Sequence, residues 1–373
     1  MQVKSAVRGL LSAAMFSMFA GAGLVHAQGT AYVSNQKGGI STIDLATMKV
    51  TGEFGVGGKT PRGLGVTDDG RTLIVAVRET GDIALIDTRT GKVTSRVKVG
   101  KNPEFVRVRD GMAFVSFEPT STMGPPPKPG AKGHDDKKKG DDKKEGGHGH
   151  EGHDDDDDEN KEPAQVAVVD LKQGKVIRNI VGGPETEGIE FTADGKSLVV
   201  TNEADNTLTL HDIATGRLIK QVHTEKYGAR PRGIKLSPDG KTFVATLEFG
   251  NSFLVLDGQL NPLKAVPTGE TPYGVAFDRK GERLFVATAR AKALEVFDAR
   301  TFEKIKDVPL NADRCWHFTF TPDDKQILIA CGRSDAVLVI DAEKLEVTKR
   351  ISDKKLPWGV VTYPRAMGSL DQP

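Results

Sequence analysis

The densest group of metal-binding side chains lies in one low-complexity stretch of the sequence. His148, His150 and His153 are separated by one and two residues, and a run of five aspartates begins at Asp154. Imidazole and carboxylate groups together suit Zn²⁺, Cu²⁺ or Ni²⁺. The stretch therefore predicts weak capture of one of these divalent metals, and its candidate ligands are His134, His148, His150, His153, Asp154 and Asp155.

The composition around these histidines argues against a well-defined site. Residues 119–163 contain 13 acidic residues, eight lysines and four histidines, but no aromatic residue. Such a segment cannot bury a core, so we expect a disordered insertion within the third repeat of the chain. The alternative to metal capture is a solvated linker in which the lysines compete with metal for the carboxylates. We therefore expect metal binding to be transient and of low specificity.

The two cysteines flank one predicted hairpin. Counting residue pairs outward from the turn at Pro322 places residue 331 opposite residue 316, one step from Cys315. A small register adjustment would bring Cys315 and Cys331 within bonding distance. In an oxidising compartment this arrangement predicts a disulfide, and two buried thiols are the alternative.

Outside the low-complexity stretch and residues 1–27, the sequence has three further histidines, at His211, His223 and His317. His317 follows Trp316 at a point where most repeats have glycine, which predicts an imidazole close to a central channel. It is either a haem or metal ligand or a structural histidine whose ring nitrogens form hydrogen bonds within the fold. The three residues share no metal-ligand spacing, and the sequence has no C-x-x-C-H motif for covalent haem.

Aspartates recur at a regular period and identify the elements that must position these side chains. Each ends a short run rich in valine and isoleucine, at intervals of 41 to 45 residues apart from one interval of 83 that contains the insertion. They are Asp44, Asp87, Asp170, Asp212, Asp257, Asp298 and Asp341. Turns such as Asp69-Gly70 and Asp239-Gly240 join two alternating apolar runs in each period, which is typical of an antiparallel hairpin.

Four short strands per period indicate the blades of a β-propeller. Residues 32–54 supply three strands without an inner strand, and residues 357–362 supply an inner strand alone. We expect these N- and C-terminal strands to pair in one blade and close the ring. With six complete internal units, the sequence predicts an all-β, seven-bladed propeller over residues 28–373, interrupted by the His/Asp/Lys-rich insertion.

The repeats resemble the YVTN family of β-propeller proteins. The resemblance rests on Ala31-Tyr-Val-Ser-Asn35, on Ser237-Pro-Asp-Gly240 and on the Asp-x-x-Thr-Gly-Lys/Arg turns that begin at Asp87 and Asp212. It covers the chain after residue 27 apart from the insertion. It implies a periplasmic propeller, similar to those associated with quinone-cofactor (PQQ) dehydrogenase systems or to the haem-carrying cytochrome d1-like propellers. The motifs are structural and leave the ligand open.

One residue per blade is predicted to face the mouth of the central channel, with His317 beside this ring. The ring comprises Arg62, Glu104, Glu187, Arg232, Tyr273, Trp316 and Trp358. Its arginines and aromatic rings could bind an anionic or planar ligand. Alternatively, its charges pair with one another and its aromatic rings plug the channel. Charges in nearby loops are expected to be solvated, namely Arg78, Glu203, Asp205, Glu248, Arg290 and Arg333.

Residues 1–27 have the pattern of a secretory signal peptide. Lys4 and Arg8 precede an apolar run, and Val25-His26-Ala27 resembles a cleavage site. We expect a periplasmic protein with no membrane anchor after cleavage. The 52 basic and 51 acidic residues leave no basic excess for binding nucleic acid.

These features favour a non-enzymatic, monomeric periplasmic protein that binds other periplasmic proteins through one propeller face. Its role would lie in redox-cofactor or metal handling, with metal captured by the insertion. The sequence contains no nucleophile elbow, phosphate-binding loop or HExxH motif, so no catalytic residue is predicted. The alternative is an enzyme or a haem- or cofactor-binding propeller, lactonase-like or cytochrome d1-like, that uses the channel mouth.

Overall fold

A computed structural model of the protein describes residues 28–119, 163–352 and 354–372. The first fourteen strands of this part are β1 Thr30–Asn35, β2 Ile40–Asp44, β3 Lys49–Phe54, β4 Pro61–Val66, β5 Thr72–Val77, β6 Asp82–Asp87, β7 Lys92–Lys98, β8 Val106–Arg109, β9 Met112–Phe117, β10 Gln165–Asp170, β11 Lys175–Val181, β12 Thr186–Phe191, β13 Ser197–Asn202 and β14 Thr207–Asp212. The remaining strands are β15 Leu218–His223, β16 Pro231–Leu236, β17 Thr242–Leu247, β18 Ser252–Asp257, β19 Pro262–Pro267, β20 Pro272–Phe277, β21 Arg283–Thr288, β22 Ala293–Asp298, β23 Lys304–Pro309, β24 Cys315–Phe320, β25 Gln326–Cys331, β26 Ala336–Asp341, β27 Glu346–Ile351 and β28 Pro357–Tyr363. Two single-turn 3₁₀ helices, Glu248–Gly250 and Gly332–Ser334, follow β17 and β25.

The strands form seven four-stranded antiparallel sheets, which are the seven blades. Blades 1 to 6 each contain four consecutive strands, from β4–β7 to β24–β27. Blade 7 has the order β28-β1-β2-β3, so the last strand of the chain pairs with the first. The prediction of a seven-bladed propeller closed by its terminal strands is confirmed.

The recurring aspartates end the third strand of every blade, and their side chains shape the turn that follows. The backbone N–H groups of Thr47, Thr90 and Thr215 each donate to the Asp carboxylate three residues earlier, at 2.7–2.8 Å. Such side-chain to backbone bonds are the usual reason for aspartate in turns. The sequence repeat is therefore a repeat of turn chemistry.

Most inner strands have glycine at their third residue because the neighbouring blade approaches closely there. At Gly233, a Cβ atom would lie 2.5 Å from the carbonyl oxygen of Tyr273 in the next blade. The Thr246 hydroxyl donates to that same carbonyl at 2.7 Å and accepts from the Gly233 N–H at 2.9 Å. These contacts fix the start of β16 relative to β20.

Apolar side chains of the middle strands pack the blades face to face. Aromatic pairs join neighbouring blades edge to face, with ring centroids 4.9 Å apart for Phe114 and Phe191 and 5.1 Å apart for Phe253 and Phe297. Such pairs contribute about 0.5–1.5 kcal/mol beyond their buried area. The outer strands are more exposed, which leaves the core between the blades.

A feature that the sequence did not predict is the path of the chain after β28. Residues 364–372, here called the C-terminal segment, pair with β24 through a bridge between Thr319 and Gly368. Because β25 occupies the other edge of β24, the segment lies along the edge that lines the channel. Ser369 and Leu370 are fully or almost fully buried. The channel is therefore filled by the chain's own end.

The predicted signal peptide (1–27) and almost all of the predicted insertion (119–163) lie outside the described residues. Within the described ranges, no helix has the length and apolarity needed to cross a membrane.

Candidate functional site

The structure places the predicted mouth residues at equivalent positions around the channel. Six of them are the second residue of an inner strand, and Glu104 lies two residues before β8. They stand in the order Arg62, Glu104, Glu187, Arg232, Tyr273, Trp316 and Trp358 from blade 1 to blade 7. With Arg78, Glu203, Arg230 and Glu248, the first five of these residues form one connected group, here called the mouth cluster.

One half of the mouth cluster is organised around Glu104. Its Oε1 accepts from Arg62 Nη1 at 2.8 Å and lies 3.2 Å from Arg78 Nη1. Burial alone would raise the pKa of this carboxyl, but Arg62 and Arg78 lower it to about 2. Glu104 is therefore a permanent carboxylate at neutral pH.

The other half is organised around Arg232. Its guanidinium donates to Glu248 at 2.6 Å and pairs with Glu203. Arg230 pairs with the same two glutamates, at 2.8 Å from Glu248. Arg230 adopts a left-handed backbone conformation, with φ of 63°. Because two guanidinium groups share two carboxylates, the geometry of this half is strongly constrained.

Glu187 lies between the two halves. Its Oε1 accepts a hydrogen bond from the Tyr273 hydroxyl at 2.6 Å, and its Oε2 lies 3.7 Å from Arg232 Nη1. Burial and the negative charge of Glu104 raise the pKa of Glu187 to about 7, although Arg232 opposes this shift. Two neighbouring carboxyl groups whose pKa values are driven apart are typical of an acid–base pair.

Aromatic rings form the floor beneath the mouth cluster. The His317 ring lies 4.4 Å from the Trp358 ring and 5.3 Å from the Tyr273 ring, centroid to centroid. It also contacts Phe105 of blade 2 at 6.1 Å, so it reaches across the channel from blade 6. His317 is buried, and burial and the nearby cations lower its pKa to about 3. It is neutral at physiological pH.

The mouth carries an excess of positive charge at its rim. Arg314 lies over the ring of Trp316 at 4.5 Å, and Arg333 stands on the following 3₁₀ helix. Neither arginine forms an ion pair within the described ranges of the chain.

The four arginines of the mouth cluster face five glutamates, because Glu185 also lies 3.4 Å from Arg230 Nη1. Burial raises the pKa of Glu187 to about 7 and raises the pKa of Glu203 well above its usual value, which reduces the negative charge of the group. Such a surface favours an anionic ligand.

Three loop charges that were expected to be solvated belong to the mouth cluster instead. Arg78, Glu203 and Glu248 are largely buried because adjacent loops converge over the channel. That expectation was wrong for these three, whereas Arg290 is mostly exposed. Arg230 was not predicted as a site residue. The triplet Arg230-Pro231-Arg232 at the start of β16 could have indicated that a second arginine lies at the mouth.

A second charged group lies deeper in the channel. It contains the fifth residues of β12 and β16, Glu190 and Lys235, and the second residue of the shorter β8, Arg107. Arg107 makes two hydrogen bonds to Glu190, at 3.1 and 3.2 Å, and Lys235 Nζ lies 3.4 Å from the same carboxylate. Lys235 also donates to the carbonyl of Asp371 in the C-terminal segment at 3.4 Å. We call Arg107, Glu190 and Lys235 the lower layer.

The remaining predicted residues do not join the mouth. His211 is buried in the third strand of blade 3, and His223 is exposed, 3.7 Å from Glu225. Cys315 and Cys331 pair directly and form a disulfide, because a bulge after Cys315 moves the register by one residue from the predicted pairing.

The predicted metal ligands of the insertion lie outside the described residues. In the part of the chain that is described, no group of three or more His, Cys, Asp or Glu side chains could hold a metal ion. Weak metal capture by His134, His148, His150, His153, Asp154 and Asp155 therefore stays a prediction.

The sequence matches one family model in part. Residues 162–255, about a quarter of the chain, match the family described as "Lactonase, 7-bladed beta-propeller". The matched segment contains Glu187, Glu203, Arg230, Arg232 and Glu248 of the mouth cluster. No curated protein matches the sequence.

Solved structures with the same fold share little sequence with this chain. A functionally unknown protein from Desulfotomaculum acetoxidans superposes with a TM-score of 0.71 at 17% identity, over 90% of this chain and 99% of its own. The periplasmic gluconolactonase PpgL from Pseudomonas aeruginosa gives 0.68 at 16% identity, over 90% and 98%. Dihydro-haem d1 dehydrogenase NirN gives 0.61 at 16% identity, over 90% and 75%.

At sequence identities of 16–17%, structural similarity shows a shared fold and does not assign an activity. The resemblance to YVTN repeats stays a prediction, since no comparison reports that family. The protein is thus a seven-bladed β-propeller, similar in sequence over residues 162–255 to the lactonase propellers and similar in fold to a gluconolactonase and to a cytochrome d1-like protein.

Proposed function

We propose that the protein hydrolyses the lactone of a sugar acid at the channel mouth, with Glu187 as the general base. The observation that carries this proposal is the pair of carboxyl groups with separated pKa values, set among arginines. Similarity to the lactonase family and to a gluconolactonase supports an enzyme of this type better than the non-enzymatic scaffold interpretation.

Binding of the substrate would use the positive side of the mouth. A lactone hydrolyses to a hydroxy acid, so negative charge develops on the carbonyl oxygen and remains on the product carboxylate. Arg232 lies 3.7 Å from Glu187, Arg62 pairs with the neighbouring Glu104, and Arg314 and Arg333 add positive charge at the rim. Preorganised donors of this kind stabilise a developing oxyanion more strongly than water does.

The proton transfer would run through Glu187. Its carboxylate form takes a proton from a water molecule, whose oxygen attacks the lactone carbonyl carbon. The ring C–O bond then breaks, and the ring oxygen receives the proton and becomes a hydroxyl group. The new carboxylic acid releases the second proton of the water to solvent, which leaves the product carboxylate. A general base works best with a pKa near the working pH, and the pKa of Glu187 is about 7.

A haem-binding role of the cytochrome d1 type fits the mouth less well. Such a role would make His317 the natural iron ligand. The rings of Trp358, Tyr273 and Phe105 cover this imidazole, with centroids 4.4–6.1 Å away, and only 1% of the residue is exposed. Rings packed at these distances leave no room beside the imidazole for a group as large as a porphyrin.

The test is turnover of glucono-δ-lactone and of 6-phosphogluconolactone, measured as acid release and corrected for spontaneous hydrolysis. We expect the protein to accelerate hydrolysis of at least one of them. The variant Glu187→Gln should lower kcat/KM by about 100-fold or more, because a positioned base contributes about 10²–10⁴.

Glu270→Gln is the matched control. Glu270 lies in an exposed loop before β20, with its carboxylate 4.0 Å from Arg290, and it should leave turnover unchanged. Turnover no faster than the spontaneous rate for both lactones, by folded protein, would falsify the proposal. Equal losses in the two variants would also contradict it. The expected periplasmic location is a separate prediction, which cell fractionation tests.

A further inference from the structure

The C-terminal segment places a serine hydroxyl against the imidazole on the floor of the mouth. Ser369 Oγ lies 3.1 Å from His317 Nδ1. The same oxygen accepts a hydrogen bond from the Phe318 N–H at 3.0 Å and lies 3.1 Å from the Phe318 carbonyl oxygen. The Ser369 N–H also donates to this carbonyl, at 2.9 Å. Three polar groups therefore surround one hydroxyl.

Counting protons at this hydroxyl assigns the tautomer of His317. A hydroxyl has one proton to donate and two lone pairs to accept with. If the proton points to the Phe318 carbonyl and the Phe318 N–H uses one lone pair, the second lone pair accepts from a protonated Nδ1. The opposite assignment would turn the hydroxyl proton towards Nδ1 and leave the proton on Nε2.

Nε2 makes no hydrogen bond with any residue in the described ranges, and the atom is buried. A proton there would be a buried donor without a partner, which is rarer than an under-satisfied acceptor. The cations Arg232, Lys235 and Arg62 lie around the ring and favour a lone pair over an N–H group. Both arguments place the proton on Nδ1 and leave the lone pair on Nε2.

The Nε2 lone pair belongs to a ring that packs against Tyr273, whose hydroxyl binds Glu187. A buried acceptor is normally satisfied, either by a ligand or by an ordered water molecule. A ligand held by the arginines of the mouth would have to bring a hydrogen-bond donor to this atom. A carboxylate has none, whereas a hydroxyl group does.

We propose that Ser369 of the C-terminal segment holds His317 as the Nδ1–H tautomer, and that Nε2 accepts a hydrogen bond from a hydroxyl group of the ligand. This deepens the proposed function and rests on it for the ligand class, which it narrows to polyhydroxylated acids and their lactones. Ser369 is a positioning residue, since it acts on the ligand only through His317.

The test uses the full chain labelled with ¹⁵N-histidine, at pH 7, with gluconate as the probe. The His317 signals are identified by their loss in His317→Gln. We expect a protonated Nδ1 and an unprotonated Nε2, and we expect the Nε2 resonance to move when gluconate is added. A protonated Nε2 overturns the proposal, as does an Nε2 signal that stays fixed while gluconate binds, which is the result for an internal water only. Failure of gluconate to bind overturns it too.

Ser369→Ala tests the positioning role. It should release the tautomer into a mixture and weaken gluconate binding by about 3- to 10-fold, which is the usual effect of losing one hydrogen bond. Leu370→Ala disturbs the same segment without touching the hydroxyl, so the tautomer should stay fixed in that variant. A tautomer that changes equally in both variants would show a general packing effect and overturn the role of Ser369.

Lactone turnover on the same samples separates the two proposals. An Nε2 signal that responds to gluconate in a protein without turnover means that the hydrolase proposal fails and this inference stands. Turnover in a protein whose Nε2 signal ignores gluconate means the reverse.

Discussion

Two charged groups occupy the same channel, and they differ in how their charges meet solvent. In the mouth cluster, the side chains of Arg62, Arg232 and Glu248 are 18%, 14% and 13% exposed. In the lower layer, the side chains of Arg107, Glu190 and Lys235 are 2%, 0% and 1% exposed. The first group has side chains at its outer surface that a ligand can reach, with Glu187 beneath them at 6% exposed, whereas the second is fully enclosed.

The C-terminal segment accounts for part of this difference. Asp371 offers its carbonyl to Lys235, and its carboxylate accepts from Arg365 at 2.6 and 2.9 Å. Arg365 also reaches Asp68 at 2.6 Å, which anchors the segment to blade 1. The lower layer therefore links neighbouring blades to the C-terminal segment. The mouth cluster is the group to which we assign the proposed function.

The largest expected effect is on stability, in the lower layer. Glu190→Gln leaves Arg107 and Lys235 buried without a counter-charge, and breaking such a buried pair costs about 3–5 kcal/mol. We expect the free energy of unfolding to fall by this amount at pH 6, measured by urea denaturation with tryptophan fluorescence.

The matched variant in the mouth cluster is Glu187→Gln. Because Glu187 is mostly protonated at pH 6, a neutral amide of similar shape should change the free energy of unfolding by less than about 1 kcal/mol. Equal losses in the two variants would remove the distinction between a structural and a functional layer.

The two layers should also give opposite dependences of stability on pH. The pKa of Glu187, usually about 4.5, is raised to about 7 by burial and by Glu104. The folded state then binds the extra proton between these values, so stability falls as pH rises from about 4.5 to 7.

The pKa of Lys235 is lowered from about 10.5 to about 7, chiefly by burial and then by Arg107. There the unfolded state binds the extra proton, so stability rises from about pH 7 to 10.5.

The pKa of His317 is lowered from about 6.5 to about 3, so this residue adds a rise of stability up to about pH 6.5 that opposes the Glu187 contribution. The two contributions are therefore measured as differences between each variant and the unsubstituted protein, by urea denaturation across pH 5 to 10. We expect Glu187→Gln to gain stability relative to the unsubstituted protein from pH 5 to 7, and Lys235→Met to lose it from pH 7 to 10, each by about 1 kcal/mol per pH unit. A difference that does not change with pH would contradict the assignment of that group.

The smallest effect is expected from the Tyr273 hydroxyl. Its hydrogen bond favours the carboxylate form of Glu187, so Tyr273→Phe should raise the pKa of Glu187 further. The pH profile of kcat/KM for the lactone should move to higher pH by less than about one unit, with a loss of about 3- to 10-fold at pH 7. Tyr227→Phe is the control, since within the described ranges the Tyr227 hydroxyl makes no hydrogen bond to the mouth cluster. A profile that moves to lower pH would count against Glu187 as the base.

The blade architecture and the ring of mouth residues could be predicted from the sequence because their signals are local. An aspartate that accepts from the N–H three residues later marks the same turn in each blade, as at Asp87 and Asp212. The alternation of apolar residues then sets which side chains face the channel. The predicted pairing of residue 331 with residue 316 differs by one residue from the observed pairing with Cys315, because the local sequence does not indicate the bulge after Cys315.

The burial of Glu203 and Glu248 could not be predicted in the same way. Each lies in a polar loop, and a polar loop is usually solvated. Only the convergence of neighbouring loops brings these carboxylates to Arg230 and Arg232. The C-terminal segment belongs to no repeat, so the repeat pattern of the sequence could not predict that it lies in the channel.

The sequence by itself determined the number of blades, the closure of the ring by the two chain ends and the residue that each blade presents at the mouth. These follow from strand alternation and turn chemistry, which act over a few residues. Only the tertiary structure decided which charges pair, which of them are buried and where the C-terminal segment lies. Ion pairs and pKa values depend on distances between side chains from different blades, such as Glu104 and Glu187, and no local pattern encodes such distances.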